Sequence, residues 1–425
     1  MPLSNSHPGF LPYGRQSVTP GDIQAVIEVL QSDWWTQGPM IEQFEHDLAC
    51  RIGATYAVAC SSGTAALHLA MLALGLGDGD AIVTSPNTFV ASANGARYTG
   101  AEVLFAEIDA ATGNMNPDRL ETLLAHDTPR RIKAVVPVHF AGLPCDIERI
   151  ARLADRHGAV VVEDACHALG ATIGIEGSVH AVGSNTHSAM TVFSFHPVKH
   201  VAMGEGGAVT TNDAELAERL RRFRSHGIVR NEFVNADLAY APDGKPNPWY
   251  YEMSDLGFNY RLTDLQAVLG RSQLQRLDAS VARRQELARA YSRKLQEAFV
   301  DGTVRPLHDP SVSGHAFHLF VVRIDFARRG VSRAKLMTEM RRHGIGTQVH
   351  YIPVPMQPYY RKRYGFKQGD FPVSEEYYAQ ALSLPMYPEL TIHDIERVVT
   401  TLRDLLADAT DVAAIDPIRQ EASSC

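Results

Sequence analysis

Two rhythms of apolar residues divide this chain. From about Thr55 to Asn212, short runs rich in Val and Ile alternate with stretches of helical spacing. Tyr56–Cys60, Ala81–Ser85, Val103–Ile108, Ala134–Phe140, Ala159–Glu163, Ala189–Phe195 and Gly207–Thr211 read as strands, because each is brief and bounded by Gly, Pro, Asp or Asn. Between them lie the helical patterns Ala65–Ala73, Pro117–Leu124 and Ile147–Arg156. Such alternation predicts an α/β fold with a mostly parallel central sheet covered on both faces.

The pattern changes near Asn259. Leu265–Leu295 reads as one long helix, followed by a strand at Phe317–Ile324, a helix at Ser332–His343, a loop from His350 to Tyr360 and a helix at Ile392–Leu406. The expected division is a large domain over 1–264, a smaller C-terminal α+β domain over 265–407, and an aperiodic, mobile tail over 408–425.

Composition narrows the function. Of 425 residues, 45% are hydrophobic and 21% charged, which is ordinary for a globular chain of two or more domains. A formal charge of −8 speaks against a nucleic-acid binder. It does not exclude a phosphorylated ligand, since backbone amides at a helix start hold phosphate without a basic surface. No apolar run is long enough for a bilayer and no secretory signal is visible, so no membrane partner is expected. Cys50, Cys60, Cys145, Cys166 and Cys425 are odd in number and match no zinc or redox spacing, which points to a reducing cytoplasm.

Three stretches carry candidate chemistry. Cys60-Ser61-Ser62-Gly63-Thr64-Ala65-Ala66 follows a strand and opens a helix; it suits an anion, although taken alone a plain Ser/Thr helix cap explains it better. Gly75-Leu76-Gly77-Asp78-Gly79 lies after a helix and before a strand, the reverse of the dinucleotide-binding order, and reads as a surface turn. Asp164 ends an apolar strand, where a carboxylate can hold a protonated ring nitrogen or merely cap a helix. Cys166 is expected to be a small core residue, and His167 to face a cofactor or a neighbouring loop. Lys199, among Val198, Val201, Ala202 and Met203, differs from the other lysines, which lie in polar helices, turns or near a strand start. Apolar surroundings disfavour the ammonium form and leave a nucleophilic amine, as a Schiff base requires. His196 and His200 carry Pro197 between them and no His-Glu-x-x-His pattern, so no metal is expected.

Together these pieces resemble the fold type I pyridoxal-phosphate enzymes (aspartate aminotransferase-like), and within them the sugar-nucleotide aminotransferases of the DegT family. The resemblance runs from about Leu11 to Leu406. It rests on Thr36-Gln37-Gly38-Pro39, Ser62-Gly63-Thr64-Ala65-Ala66-Leu67, Glu163-Asp164-Ala165-Cys166-His167-Ala168-Leu169-Gly170, Phe193-Ser194-Phe195-His196-Pro197-Val198-Lys199, Gly204-Glu205-Gly206-Gly207 and Gly257-Phe258-Asn259-Tyr260-Arg261. It implies pyridoxal 5'-phosphate held by the Lys199 amine, which also moves the proton. It implies Asp164 at the ring nitrogen, His167 near the ring hydroxyl, Gly63, Thr64 and Ser194 at the phosphate, and Phe89 stacked on the ring. Asn259 matches a residue that reaches the neighbouring subunit's site, so the family implies a homodimer with shared active sites.

The C-terminal half is most similar to the transaminases of pseudaminic acid biosynthesis. Gly344-Ile345-Gly346-Thr347-Gln348-Val349-His350-Tyr351-Ile352-Pro353-Val354-Pro355, Gln357-Pro358-Tyr359-Tyr360 and Leu382-Ser383-Leu384-Pro385 carry that likeness. It implies a nucleotide sugar met by Tyr13, Asp33, Trp34, Trp35, Thr36, His350, Tyr351, Ile352 and Pro353. The expected reaction moves an amino group from glutamate to C4 of a UDP-linked 2-acetamido-2,6-dideoxy-4-keto hexose. Perosamine-type or aminoarabinose-type transfer, a sugar dehydratase and a non-enzymatic regulator are the alternatives. The dehydratases carry histidine where Lys199 stands. Val234–Trp249 reads as an inserted loop without an assigned role.

Overall fold

The computed structural model describes residues 9–413 apart from 128, 130, 176 and 232, with side chains as far as Ala407. The expected strands form one seven-stranded sheet. They are β1 (Tyr56–Cys60), β2 (Ala81–Thr84), β3 (Glu102–Phe105), β4 (Ile132–Val136), β5 (Val160–Asp164), β6 (Met190–Ser194) and β7 (Gly207–Thr211). The spatial order is β1-β7-β6-β5-β4-β2-β3, and only the pairings of β7 with β1 and β6 are antiparallel. The central strands are buried along nearly their whole length, which is why they read as continuous Val- and Ile-rich runs rather than as alternating ones. Among the described residues no helix is long and apolar enough to cross a membrane.

Two N-terminal helices not anticipated above precede the sheet: α1 (Pro20–Leu30), which packs against the helix Asp264–Leu274, and α2 (Pro39–Ile52), which packs against β1 and that same helix. The start of α1 is a capping box in which Thr19 and Asp22 satisfy each other's amides, with Pro20 set for the first turn. Asp264, fully buried, accepts from the Gly38 and Met40 amides (2.8 and 2.9 Å) and so caps α2 from a distant part of the chain. The helix α3 (Gly63–Ala73) takes its cap from Ser62 and is buried on nearly every side, packed against the sheet.

The long helix expected over Leu265–Leu295 is two helices, Asp264–Leu274 and Leu277–Ala298. Neither Gly nor Pro marks the break at Gln275 and Arg276, so periodicity could not place it. Asp264–Leu274 buries Ala267 and Leu274 with Phe44, Leu48 and Phe193 of the large sheet's layer, whereas Leu287, Tyr291 and Leu295 of the second helix join another core. That second core packs on a three-stranded antiparallel sheet of β8 (Val304–Pro306), β9 (Phe320–Ile324) and β10 (Ala381–Leu384). The stretch expected as a loop from His350 to Tyr360 contains a 3-10 turn at Val354–Met356 and the start of the helix Pro358–Tyr364. The last helix, Ile392–Ala413, runs past the expected boundary at 407; the rest of the expected tail, 414–425, lies outside the described residues.

Candidate active site

The carboxyl ends of β1, β5 and β6 converge on one cavity of about 580 Å³. Ligands of open parallel sheets sit at this end of the strands. Asp164 is the last residue of β5. Lys199 follows β6 on a loop closed twice at Phe195, whose amide donates to the Gly206 carbonyl (2.8 Å) and whose carbonyl accepts from the Met203 amide (2.9 Å). Both side chains line the cavity.

The start of α3 forms a second wall. Ser62 accepts from the Ala65 amide (3.1 Å), while the Gly63 and Thr64 amides meet no protein acceptor among the described residues. A Cβ on Gly63 would stand 2.8 Å from Ser194 Cβ and 3.3 Å from Cys166 Sγ, so only glycine lets the helix approach β6 this closely. On β7, a Cβ on Gly207 would come within 2.3 Å of the Ser62 carbonyl oxygen. Two free amides and the hydroxyls of Thr64 and Ser194 thus meet at a helix N-terminus, a donor set suited to a phosphate group.

The remaining walls set the charge. Ser92 Oγ donates to Asp164 Oδ2 (2.6 Å) and the Cys166 amide donates to Oδ1 (3.1 Å), which fixes the carboxylate's orientation. Burial pushes the Lys199 amine below its ordinary value, against the opposing pull of Cys166 and Asp164. Burial, and then Lys199, hold His167 well below its usual range, so the ring is neutral. Its Nε2 lies 3.0 Å from the Tyr351 hydroxyl, and its buried Nδ1 has no partner. An orphaned buried nitrogen costs about 1–3 kcal/mol, so a ligand with a polar group fits against it. His350 is lowered by burial to about 3, with Nδ1 paired to Ser383 Oγ (2.8 Å).

Of the other expected site residues, Tyr13, Phe89 and Tyr351 line this cavity. Phe89 stands 56% exposed at the mouth, 6.1 Å from the Tyr351 ring. Asp33, Trp34, Trp35, Thr36 and Asn259 are exposed and do not line it, and neither do Ile352 and Pro353. The 33–36 segment is tied elsewhere: Trp35 accepts from the Asp264 amide (2.9 Å) and Thr36 bridges Thr263. Asn259 pairs through its backbone with Ser225.

Cys166, expected in the core, packs against it and also lines the cavity. Ser92 and His318 also reach the cavity, and nothing in their sequence spacing marks them. The His318 ring is 4.4 Å from that of His167, and its Nδ1 likewise lacks a partner. His196 and His200 diverge: the first lines the cavity, the second turns Nε2 to the Ala316 carbonyl (3.0 Å). Among the described residues no cluster of three or more ligating side chains could hold a metal ion.

A lysine amine whose charged form is disfavoured by burial, lining one cavity with a carboxylate and an anion cradle, fits a pyridoxal-phosphate-dependent enzyme. Likeness to known proteins narrows the class. The pattern of the DegT/DnrJ/EryC1/StrS aminotransferase family matches residues 16–403, and the chain belongs to that family. It is 42% identical over 402 residues to the spore coat polysaccharide biosynthesis protein SpsC of Bacillus subtilis (strain 168), covering 94% of this chain and 98% of SpsC. Helicobacter pylori PseC, an aminotransferase involved in the biosynthesis of pseudoaminic acid, superposes with a TM-score of 0.82 at 28% identity, covering 94% of this chain and all of PseC (100%). The PLP-form of the putative sugar aminotransferase Spr1654 from Streptococcus pneumoniae gives 0.81 at 25% identity, over 94% of this chain and 99% of that one. The protein is therefore a sugar aminotransferase, and its cofactor is pyridoxal phosphate.

Proposed function

We propose that this enzyme moves an amino group from glutamate to C4 of a UDP-linked 2-acetamido-2,6-dideoxy-4-keto hexose, in the making of pseudaminic acid or a related surface sugar. The observation that carries it is the lining of one cavity by both Lys199 and Asp164, beside the Gly63–Thr64 cradle. Likeness to PseC over the whole chain supports the sugar assignment.

Bound pyridoxal phosphate supplies an electron sink for the carbon that loses its proton. Asp164, fixed by Ser92 and the Cys166 amide, would hold the ring nitrogen, with His167 by the ring hydroxyl, Gly63, Thr64 and Ser194 on the phosphate and Phe89 against the ring. Lys199 Nζ would hold the cofactor's aldehyde carbon and, when free, would serve as the base that takes and returns the proton of the substrate's amino-bearing carbon. Burial favours its neutral form, the one that accepts a proton. Tyr13, His350 and Tyr351 meet the sugar on the open side.

The functional unit is a homodimer. Trp34 and Trp35 (55% and 57% exposed) and Leu256 (77%) leave apolar surface for a partner, and Asn259 reaches the partner's site rather than its own. Asp33 to Thr36, Ile352 and Pro353 contact the nucleotide sugar in that assembled site. Among the described residues every cysteine is unpaired, in keeping with a cytoplasmic enzyme.

The test is turnover of the purified holoenzyme with glutamate and a panel of nucleotide-linked 4-keto sugars. Steady 2-oxoglutarate release with the UDP-linked 2-acetamido sugar, and an axial or equatorial C4 amine by NMR, is the expected result. Turnover confined to a sugar lacking the 2-acetamido group would overturn the substrate assignment, and loss of oxygen without amine gain would overturn the reaction.

A further inference from the structure

A second cavity, of about 480 Å³, lies away from the active site, between the helix Leu277–Ala298 and the segment that follows β8. Arg289, Ser292, Arg293 and Gln296 line one side of it. Their spacing of i, i+3, i+4 and i+7 puts all four on one helical stripe. His308 and Pro310 belong to the opposite wall.

Three observations point to an anion. Neither Arg289 nor Arg293 pairs with a carboxylate among the described residues, although Arg283 and Lys294 of the same helix do. Ser292 is only 6% exposed, faces the cavity, and its hydroxyl makes no hydrogen bond among the described residues. The back wall is already satisfied: His308 Nδ1 lies 2.8 Å from His315 Nε2, and its Nε2 lies 2.7 Å from the Thr112 carbonyl. The groove therefore offers unspent donors from the helix side alone. Asp309 is the one carboxylate on the lining, and it accepts the Ser311 amide (2.8 Å) rather than an arginine.

We infer that this groove binds a small phosphorylated molecule, with the phosphate between Arg289 and Arg293, a hydrogen bond from Ser292, and the rest of the molecule lying along Gln296. Guanidinium forks match phosphate oxygens two at a time. The volume exceeds what a lone phosphate fills and lies within the range of sites for small organic ligands.

The test is calorimetric titration of the holoenzyme, whose cofactor occupies the Gly63–Thr64 cradle, with inorganic phosphate and with glucose 1-phosphate. The expected result is one saturable site per chain that prefers the sugar phosphate. In the double variant Arg289→Gln/Arg293→Gln that site weakens on the order of 100-fold, because both guanidinium hydrogen-bond donors to the phosphate are removed. Ser292→Ala weakens it by roughly 10-fold. Turnover and thermal midpoint stay at the parent level, because these side chains lie outside the active site and make no structural ion pair. Unchanged binding in the double variant, or no saturable binding at all, would overturn the inference. Equal affinity for both probes would assign the site to free phosphate instead. Failure of the aminotransferase assay would leave this result untouched, so the two proposals stand or fall separately.

Discussion

Gly63→Ala is the sharpest probe of the cradle at the start of α3. The added methyl would meet Ser194 Cβ at 2.8 Å, Ser194 Oγ at 3.2 Å and Cys166 Sγ at 3.3 Å. The closest of these atoms is fixed to β6, not the end of a flexible chain, so it cannot swing aside. Overpacking of this kind costs about 1–3 kcal/mol. The strain is relieved by moving the helix start off the strand, which carries the Gly63 and Thr64 amides away from the phosphate. Each charge-assisted hydrogen bond broken there is worth about 1.5–3 kcal/mol. Breaking one such bond in full should weaken cofactor binding by roughly 10- to 100-fold. Fluorescence titration of cofactor-free protein measures the dissociation constant, and a parallel melt separates local from global damage. A Gly63→Ala protein that holds the cofactor as tightly as the parent would refute the cradle.

Other consequences can be checked in the same preparations. Lys199→Ala should lose on the order of 10²- to 10⁴-fold or more in turnover, since a positioned base alone supplies that factor; borohydride reduction of the parent should tag the peptide containing Lys199 and no other. Ser92→Ala leaves Asp164 Oδ2 without its 2.6 Å donor and should lower kcat/KM by roughly 10-fold in steady-state assays, with the melt little changed; an undiminished rate would show that the carboxylate needs no such support. Asp22 is fully buried; burial raises its carboxyl, but hydrogen bonds from Arg276 and Ser272 outweigh that and hold it at about 2. Because the folded value lies below the unfolded one of 3.8, its stabilisation is present above that pH and fades as the pH falls towards about 2. Asp22→Asn should therefore cost about 1–2 kcal/mol in denaturant unfolding at pH 7 and little at pH 2, Arg276 being partly open to solvent.

The sheet was legible because its strands are buried on both faces and so leave dense apolar runs, and β1 and β7 match their expected bounds residue for residue. Helix α1 was hard to read because Ile23, Ile27 and Leu30 stay partly or largely exposed, whereas α2 was legible in the spacing of Ile41, Phe44, Leu48 and Ile52 and was overlooked. The hairpin of Thr172–Ile175 and Ser178–Ala181 is mostly exposed or half-exposed and escaped notice for the same reason as α1. In the site, Asp164 stood out as an acid at the end of an apolar strand, and Lys199 as a lysine among apolar neighbours where the other lysines lie in polar stretches. Ser92 and His318 did not, since their proximity to Asp164 and His167 arises only when elements far apart in sequence pack together. Cys166 packs against the core as expected, but its place on the cavity wall as well depends on a turn that spacing does not reveal.

The loop bearing Lys199 is pinched shut at Phe195, which bonds to Gly206 on one side and Met203 on the other. If Lys199 tethers the cofactor as proposed, releasing its end group would leave its anchorage unmoved. The freed amine would wander only within the span of its own four-carbon stem, at an effective concentration far above that of any dissolved amine. Each departure would then be short, and the resting state would return by a side-chain rotation instead of a rearrangement of the chain.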